Sequence, residues 1–226
     1  MTMRAPSNIS TRAARAAERI SRDGAWGEDP PATLEALGAG LQVCRRCDLW
    51  RAATQAVGGA GPSGAALMLV GEQPGDQEDL AGAPFVGPAG RVLDRALRKA
   101  GAPREEIYVT NAVKHFKHDL RGKRRLHKTP GAGEVSACRW WLDAERRLLR
   151  PKVIVAMGAT AALGVFRRPT PIGANRGRAF PLDGGGQGVV TFHPSFVLRA
   201  PEEAGKAEAL AAIVADLKFA WELAAG

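Results

Sequence analysis

Residues 66–76 read Ala-Leu-Met-Leu-Val-Gly-Glu-Gln-Pro-Gly-Asp. The apolar run Ala66–Val70 has the length of a buried strand, and a polar turn follows it at once. Two glycines and a proline fix that turn and hold Glu72 and Gln73 at the carboxyl end of the strand. Further strand-length apolar segments stand at Ile107–Val109, Val153–Ala156 and Val189–Phe192. Helical stretches separate them. Residues 88–100 place Val92, Leu93, Ala96, Leu97 and Ala100 on one face, with Gly101 as a C-cap. Residues 132–149 align Val135, Cys138, Leu142 and Leu149, and residues 159–166 make a short helix. Residues 203–223 align Leu210, Ile213, Val214, Leu217 and Trp221. Strands alternating with helices predict a single α/β domain over residues 32–226. Its expected form is a three-layer α/β/α sandwich around a central, mainly parallel four-stranded sheet.

In such a sheet, ligands bind outside the carboxyl ends of the strands. That rule selects Gly71–Gly75, Thr110–Lys114, Gly158 and His193–Ser195. Residues 59–64 match G-x-G-x-x-G, but they precede a strand instead of following one, so they read as a loop and not as a dinucleotide site.

The chain has 226 residues, 45% apolar and 24% charged, with a net charge of +9. The length suits one well-buried core, and no apolar run is long enough to span a bilayer. A basic excess of this size suits a polyanion such as nucleic acid. Residues 1–31 form a basic N-terminal extension, expected to be flexible and without the apolar core of a secretory signal. Six of the nine excess charges fall in residues 114–128, Lys-His-Phe-Lys-His-Asp-Leu-Arg-Gly-Lys-Arg-Arg-Leu-His-Lys. Most charge runs are solvated surface. This one leaves a strand end, would bind phosphates, and carries His127 behind Lys123-Arg124-Arg125. A neutral imidazole is a nucleophile, whereas imidazolium is not.

Each strand end carries residues of useful chemistry, although each alone reads more plainly as a turn or a core position. Glu72 and Gln73 can orient water or a nucleophile. Phe85, between Gly82 and Gly87, can stack on a flat base. The Asn111 amide can read a Watson–Crick edge. His193, fixed before Pro194 and Ser195, can donate to a departing anion. Three cysteines argue against a secreted disulfide scaffold and suit a reducing compartment. Cys44, Cys47 and Cys138 offer three thiolates, with His115 as the best fourth ligand. Spacing alone leaves iron–sulfur and zinc both open.

In this order, these residues resemble the uracil-DNA glycosylase superfamily, in particular its iron–sulfur bacterial branch, family 4. Gly71-Glu72-Gln73-Pro74-Gly75 is similar to the first motif of that family. Pro84-Phe85-Val86-Gly87 is similar to the loop whose phenylalanine stacks on uracil, and Thr110-Asn111 to the strand end that reads it. His193-Pro194-Ser195 is similar to the second motif. The likeness runs from about residue 38 to 222. Two departures from family 4 stand out: His115 replaces a cysteine, and the basic insertion is extra. Both resemble the UdgX-type glycosylases, in which a Lys-Arg-Arg-Ile-His loop bonds covalently to the DNA sugar. Here it reads Lys123-Arg124-Arg125-Leu126-His127.

The resemblance implies a [4Fe–4S] cluster on Cys44, Cys47, His115 and Cys138. It implies excision of uracil, with His127, Glu72, Gln73 and His193 catalytic and Phe85, Asn111, Gly71 and Ser195 binding the substrate. Lys114, Lys123, Arg124, Arg125, Lys128 and Arg199 would grip the DNA backbone. His127 would capture the sugar and leave a covalent adduct. The expected partner is uracil-containing DNA, with single strands preferred. The protein is expected to act as a monomer in a bacterial cytoplasm, away from membranes. A conventional turnover glycosylase and a non-catalytic, metal-stapled nucleic-acid-binding module are the competing expectations.

Overall fold

In a computed structural model, residues 30–226 are described. All but the last two residues of the N-terminal extension lie outside them. The elements run α1 (Leu34–Leu41), β1 (Leu67–Gly71), α2 (Asp76–Ala81), α3 (Pro88–Ala100), β2 (Tyr108–Asn111), β3 (His118–Arg121), β4 (Arg124–His127) and α4 (Ala132–Leu149). They continue with β5 (Val153–Met157), α5 (Ala159–Phe166), α6 (Ile172–Asn175), β6 (Ala179–Pro181), β7 (Gln187–Thr191), α7 (Ser195–Arg199) and α8 (Glu203–Ala225).

The central sheet has the order β2-β1-β5-β7-β6. Its first four strands are parallel, and they are the four the sequence predicts. A fifth, β6, pairs antiparallel with β7 at the edge. It is only three residues long and its apolar positions are half-buried, so it gives no hydrophobic run to read.

Alternation along the strands splits the core in two. Leu67, Leu69, Val109, Val153, Val155 and Val189 face Leu93 and Leu97 of α3 and Ile213 and Leu217 of α8. Met68, Val70, Ile154, Ala156 and Val190 face Leu142 of α4 and Ala161, Ala162 and Val165 of α5. Every residue of β1, β2 and β5 is buried, as a sheet covered on both sides requires. Helix α3 starts with Pro88 in its first turn and stops at Gly101, whose φ of 70° is the left-handed cap glycine favours. Residues 59–64 are a loop outside the named strands, touching β2 through one bridge from Ala60 to Val109.

The basic run is not an irregular loop. Residues 118–127 form a hairpin in which His118 pairs with His127 and Arg121 with Arg124. It turns at Gly122 and Lys123, and Gly122 has φ 60°, the conformation that two-residue turns reserve for glycine.

Candidate active site

A cavity of about 640 Å³ opens at the carboxyl ends of β1, β2 and β7. Glu72, Gln73, Phe85, Asn111, His127, His193, Ser195 and Arg199 all line it. The strand-end rule therefore gathers residues as far apart in the chain as Glu72 and Ser195 into one site.

Gly71 pairs with Asn111 across β1 and β2. A Cβ on Gly71 would collide with the Asn111 Oδ1 and lie 2.5 Å from the Phe85 ring. Glycine is thus what lets the amide and the ring meet. Phe85 has φ 58°, a left-handed conformation that is costly for an aromatic residue. A Cβ on Gly90 would strike the Phe85 carbonyl, so α3 can back this strained loop only with glycine there. The Phe85 ring centroid lies 6.2 Å from that of His193.

His193 receives two donors on one nitrogen. The Ser195 backbone N–H lies 3.2 Å from Nδ1 and the Ser195 Oγ lies 2.8 Å from it. Arg199 donates to the same Oγ at 2.9 Å, so the hydroxyl proton turns toward Nδ1. The neutral ring then carries its proton on Nε2. Burial pushes His193 down to about 4; the Glu72 charge opposes this, and Arg199 and His127 reinforce it. At neutral pH His193 is a neutral N–H donor.

Glu72 faces His127, with Oε1 3.2 Å from Nε2. The contact is an ion-pair distance without good hydrogen-bond alignment, and Oε1 has no other partner. Thr160, at the start of α5, donates to Oε2 at 3.2 Å. Burial alone would raise the Glu72 pKa, but His127, His193 and the Thr160 hydroxyl outweigh it and hold the carboxyl below its usual value. Thr160 carried no sequence signal, because it lies inside a short helix.

The hairpin is bolted to this site. Gln73 accepts from the Lys117 N–H at 2.9 Å and donates to the carbonyls of Lys117 and Lys128 at 3.1 and 3.2 Å. Its amide clamps both ends of the hairpin, a different task from positioning sugar or base. Arg125 reaches Asp76 Oδ1 at 2.6 Å, Asp79 Oδ2 at 2.5 Å and Thr54 Oγ1 at 3.0 Å. Buried Phe116 lies beneath, stacked on His118 at 4.9 Å and 6.3 Å from the His127 ring. Sequence reading missed Asp76 and Asp79, whose role shows only once α2 packs against the hairpin.

The expected phosphate-binding set needs correction. Lys114 has no exposed surface; its Nζ pairs with Glu145 at 2.7 Å and bonds Thr110 at 2.5 Å. An ammonium so enclosed cannot meet a phosphate. Arg125 is held by Asp76 and Asp79, whereas Lys128, paired with Asp119 at 2.9 Å, and Arg199, which donates to Ser195, are exposed and keep surface that a phosphate can reach. Lys123 and Arg124, exposed at the hairpin turn, have no ion-pair partner among the described residues.

Cys44 and Cys138 share a buried cluster with Val113, Val135 and Trp141. The Trp141 indole N–H donates to the Cys44 sulfur at 3.1 Å, and the Lys114 N–H to the Cys138 sulfur at 3.2 Å. Burial, then the Arg45 charge, push His115 down to about 4 against Asp79, which leaves a neutral nitrogen donor. Among the described residues no three such side chains close to the spacing of one bound ion. Yet Nε of Arg46, beside Cys47, and Nε of Arg139, beside Cys138, are buried without hydrogen-bond partners. Unmet cationic donors flanking soft thiol ligands fit an anionic iron–sulfur cluster, whose own sulfides accept such bonds, better than a single zinc ion.

Residues 59–218 match the family model described as the uracil DNA glycosylase superfamily. The chain is similar to the Type-4 uracil-DNA glycosylase of Thermotoga maritima, with 37% identity over 168 residues, 74% of this chain and 83% of that protein. The Type-4 uracil-DNA glycosylase of Archaeoglobus fulgidus is 34% identical over 177 residues, 75% of this chain and 85% of its own length. That of Pyrobaculum aerophilum is 34% identical over 180 residues, 76% and 88% respectively.

Proposed function

Because the chain belongs to the uracil-DNA glycosylase superfamily, we propose that it cleaves the N-glycosidic bond of deoxyuridine in DNA and traps the sugar on His127. The flipped base enters the cavity. Phe85 stacks on it and Asn111 reads its polar edge. The C1′–N1 bond breaks with its electron pair going to uracil. His193 Nε2–H donates to the anion that forms, in the manner of an oxyanion donor. The sugar gains oxocarbenium character, as in glycoside hydrolysis. The lone pair of His127 Nε2, in the tautomer protonated on Nδ1, then bonds to C1′; Glu72 steadies the imidazolium that forms, and its Nδ1 proton passes to solvent. Uracil leaves as the anion and the adduct imidazole is neutral, so charge balances.

The observation that carries this reading is the 3.2 Å approach of His127 to Glu72 at the cavity rim. A second reading is favoured by the similarity to Type-4 enzymes: water attacks C1′ and the enzyme turns over. A denaturing gel with uracil-containing oligonucleotide separates the two. A band shifted through SDS and heat supports trapping; abasic product without a shift supports turnover and overturns the nucleophile.

We also infer that Cys44, Cys47, His115 and Cys138 hold a [4Fe–4S] cluster. When bound, it would supply a cross-link between the segment after α1 and helix α4. Uracil-containing DNA, single-stranded by preference, is the proposed partner of a monomer working in the bacterial cytoplasm.

A further inference from the structure

A second groove lies at the amino ends of the strands, on the edge of the sheet away from the catalytic cavity. It holds about 570 Å³ between the last turn of α4, the start of β5, the end of α5 and the β6–β7 turn. Arg146, Arg147, Arg150 and Arg167 line it over the glycines of residues 184–186. Asp143 is shared by Arg146 at 3.6 Å and Arg167 at 3.1 Å. Arg146 also donates to the Asp183 carbonyl at 3.0 Å. Arg147 and Arg150 are exposed, and among the described residues their guanidinium groups have no partner.

Cations in the last turn of a helix offset its dipole, and that accounts for Arg146 and Arg147. It does not account for the backbone. Arg150 has φ 49° and Arg167 has φ 58°, each as the C-cap of its helix. Glycine or asparagine adopts that conformation at less cost. Among the described residues, three non-glycine residues have positive φ: Phe85, in the catalytic cavity, and these two arginines, in this groove. Strain held at a ligand-facing side chain points to a use for that side chain.

We propose that this groove is a second nucleic-acid site, binding the phosphate backbone of a DNA segment other than the one that delivers uracil. All four cations are arginines, whose planar fork fits phosphate bidentately. The glycine floor has no side chain to hold a sugar-phosphate chain away. Among the described residues Pro151 and Ile154 are its sole apolar lining, too little to anchor the hydrophobic side chains of an acidic peptide. The five residues of β5 separate the groove from the catalytic edge by roughly 16 Å. The cavity and the groove face opposite ends of the sheet, and a duplex, with a persistence length of about 150 base pairs, does not fold back to fill both, so two segments are held at once.

The test uses uracil-free 20-base-pair duplexes and the double variant R147E/R150E. Duplex affinity should fall ~10-fold or more, and the log–log salt slope should drop by about 1.8, the value for two lost phosphate contacts. Donor- and acceptor-labelled duplexes should show energy transfer with the parent protein and none with the variant. Uracil excision from a short single strand should stay within about twofold, since few phosphates reach the groove. R147Q/R150Q, which adds no acid to the helix end, should reproduce the loss, and melting curves of both variants report folding. Unchanged affinity and slope in the folded variants, or no energy transfer with the parent protein, overturn the proposal. Polyglutamate of equal charge displacing the duplex equally well would assign the groove to an acidic protein instead.

Discussion

Arg125 Nη1 and Asp79 Oδ2 form an ion pair at 2.5 Å, and Asp79 has no exposed surface at all. The pair joins the hairpin to α2 and fixes how far His127 stands from Glu72. Among the described residues, Arg125→Ala leaves the Asp79 carboxylate with only the Thr54 N–H as donor. The expected cost is about 2 to 3 kcal/mol of stability, measurable by urea unfolding. Adduct formation should slow much more than excision does. Arg125→Lys should fail to rescue the adduct, because an ammonium cannot reach Asp76, Asp79 and Thr54 together. Equal slowing of both reactions would deny the hairpin its positioning role.

His127→Ala is expected to abolish the heat-stable protein–DNA band while abasic product still forms, since Phe85, Asn111 and His193 are untouched. Glu72→Gln should slow adduct formation by roughly 10² to 10³, with little change in melting temperature. A persistent band in His127→Ala would place the bond to DNA on another residue.

The pH dependence follows from His193. Its folded value, about 4, lies below that of a free histidine. The unfolded chain therefore takes up a proton that the folded protein refuses, and stability is lost as pH falls from 6.5 toward 4. Melting temperatures of the parent protein should decline through that window more steeply than those of His193→Gln. Excision should persist at pH 5 and collapse near 4; a midpoint near 6.5 would mean the ring is not held neutral.

Lys114→Ala should destabilise the fold by about 3 to 5 kcal/mol, because it strands Glu145 in the core. Lys114→Met with Glu145→Leu should recover most of that loss. Neither should alter the salt dependence of DNA binding, whereas Lys123→Ala with Arg124→Ala should lower the slope by about 1.4 on single strands. A slope change in the Lys114 variants would contradict its burial.

Protein purified without oxygen should be brown and lose its colour on oxidation or on replacement of Cys138 by Ala. Stoichiometric zinc in a colourless preparation would remove the cluster from the account.

The four parallel strands were legible because each is an apolar run ended by a glycine, an asparagine or a polar turn. Their topology then did most of the work: once Glu72, Asn111 and His193 stand at carboxyl ends, they share a cavity. What stayed hidden was side-chain pairing. Charge alone made Lys114 and Arg125 look alike as phosphate ligands, yet one is locked on Glu145 and the other on Asp76 and Asp79. The hairpin itself was masked because its eight strand residues carry just two aliphatic side chains, Leu120 and Leu126, both exposed. β6 was too short and half-exposed to register.

The neck of the hairpin carries a consequence for how such a device arises. The Lys128 N–H already bonds the Lys117 carbonyl at 3.0 Å, with the Gln73 amide across both. Excising residues 118–127 would leave two chain ends already in contact, so the break could be sealed without disturbing the sheet. If His127 traps DNA as proposed, a single-use protein and a recycling enzyme lie one ten-codon deletion apart, and either could descend from the other in a single genetic event.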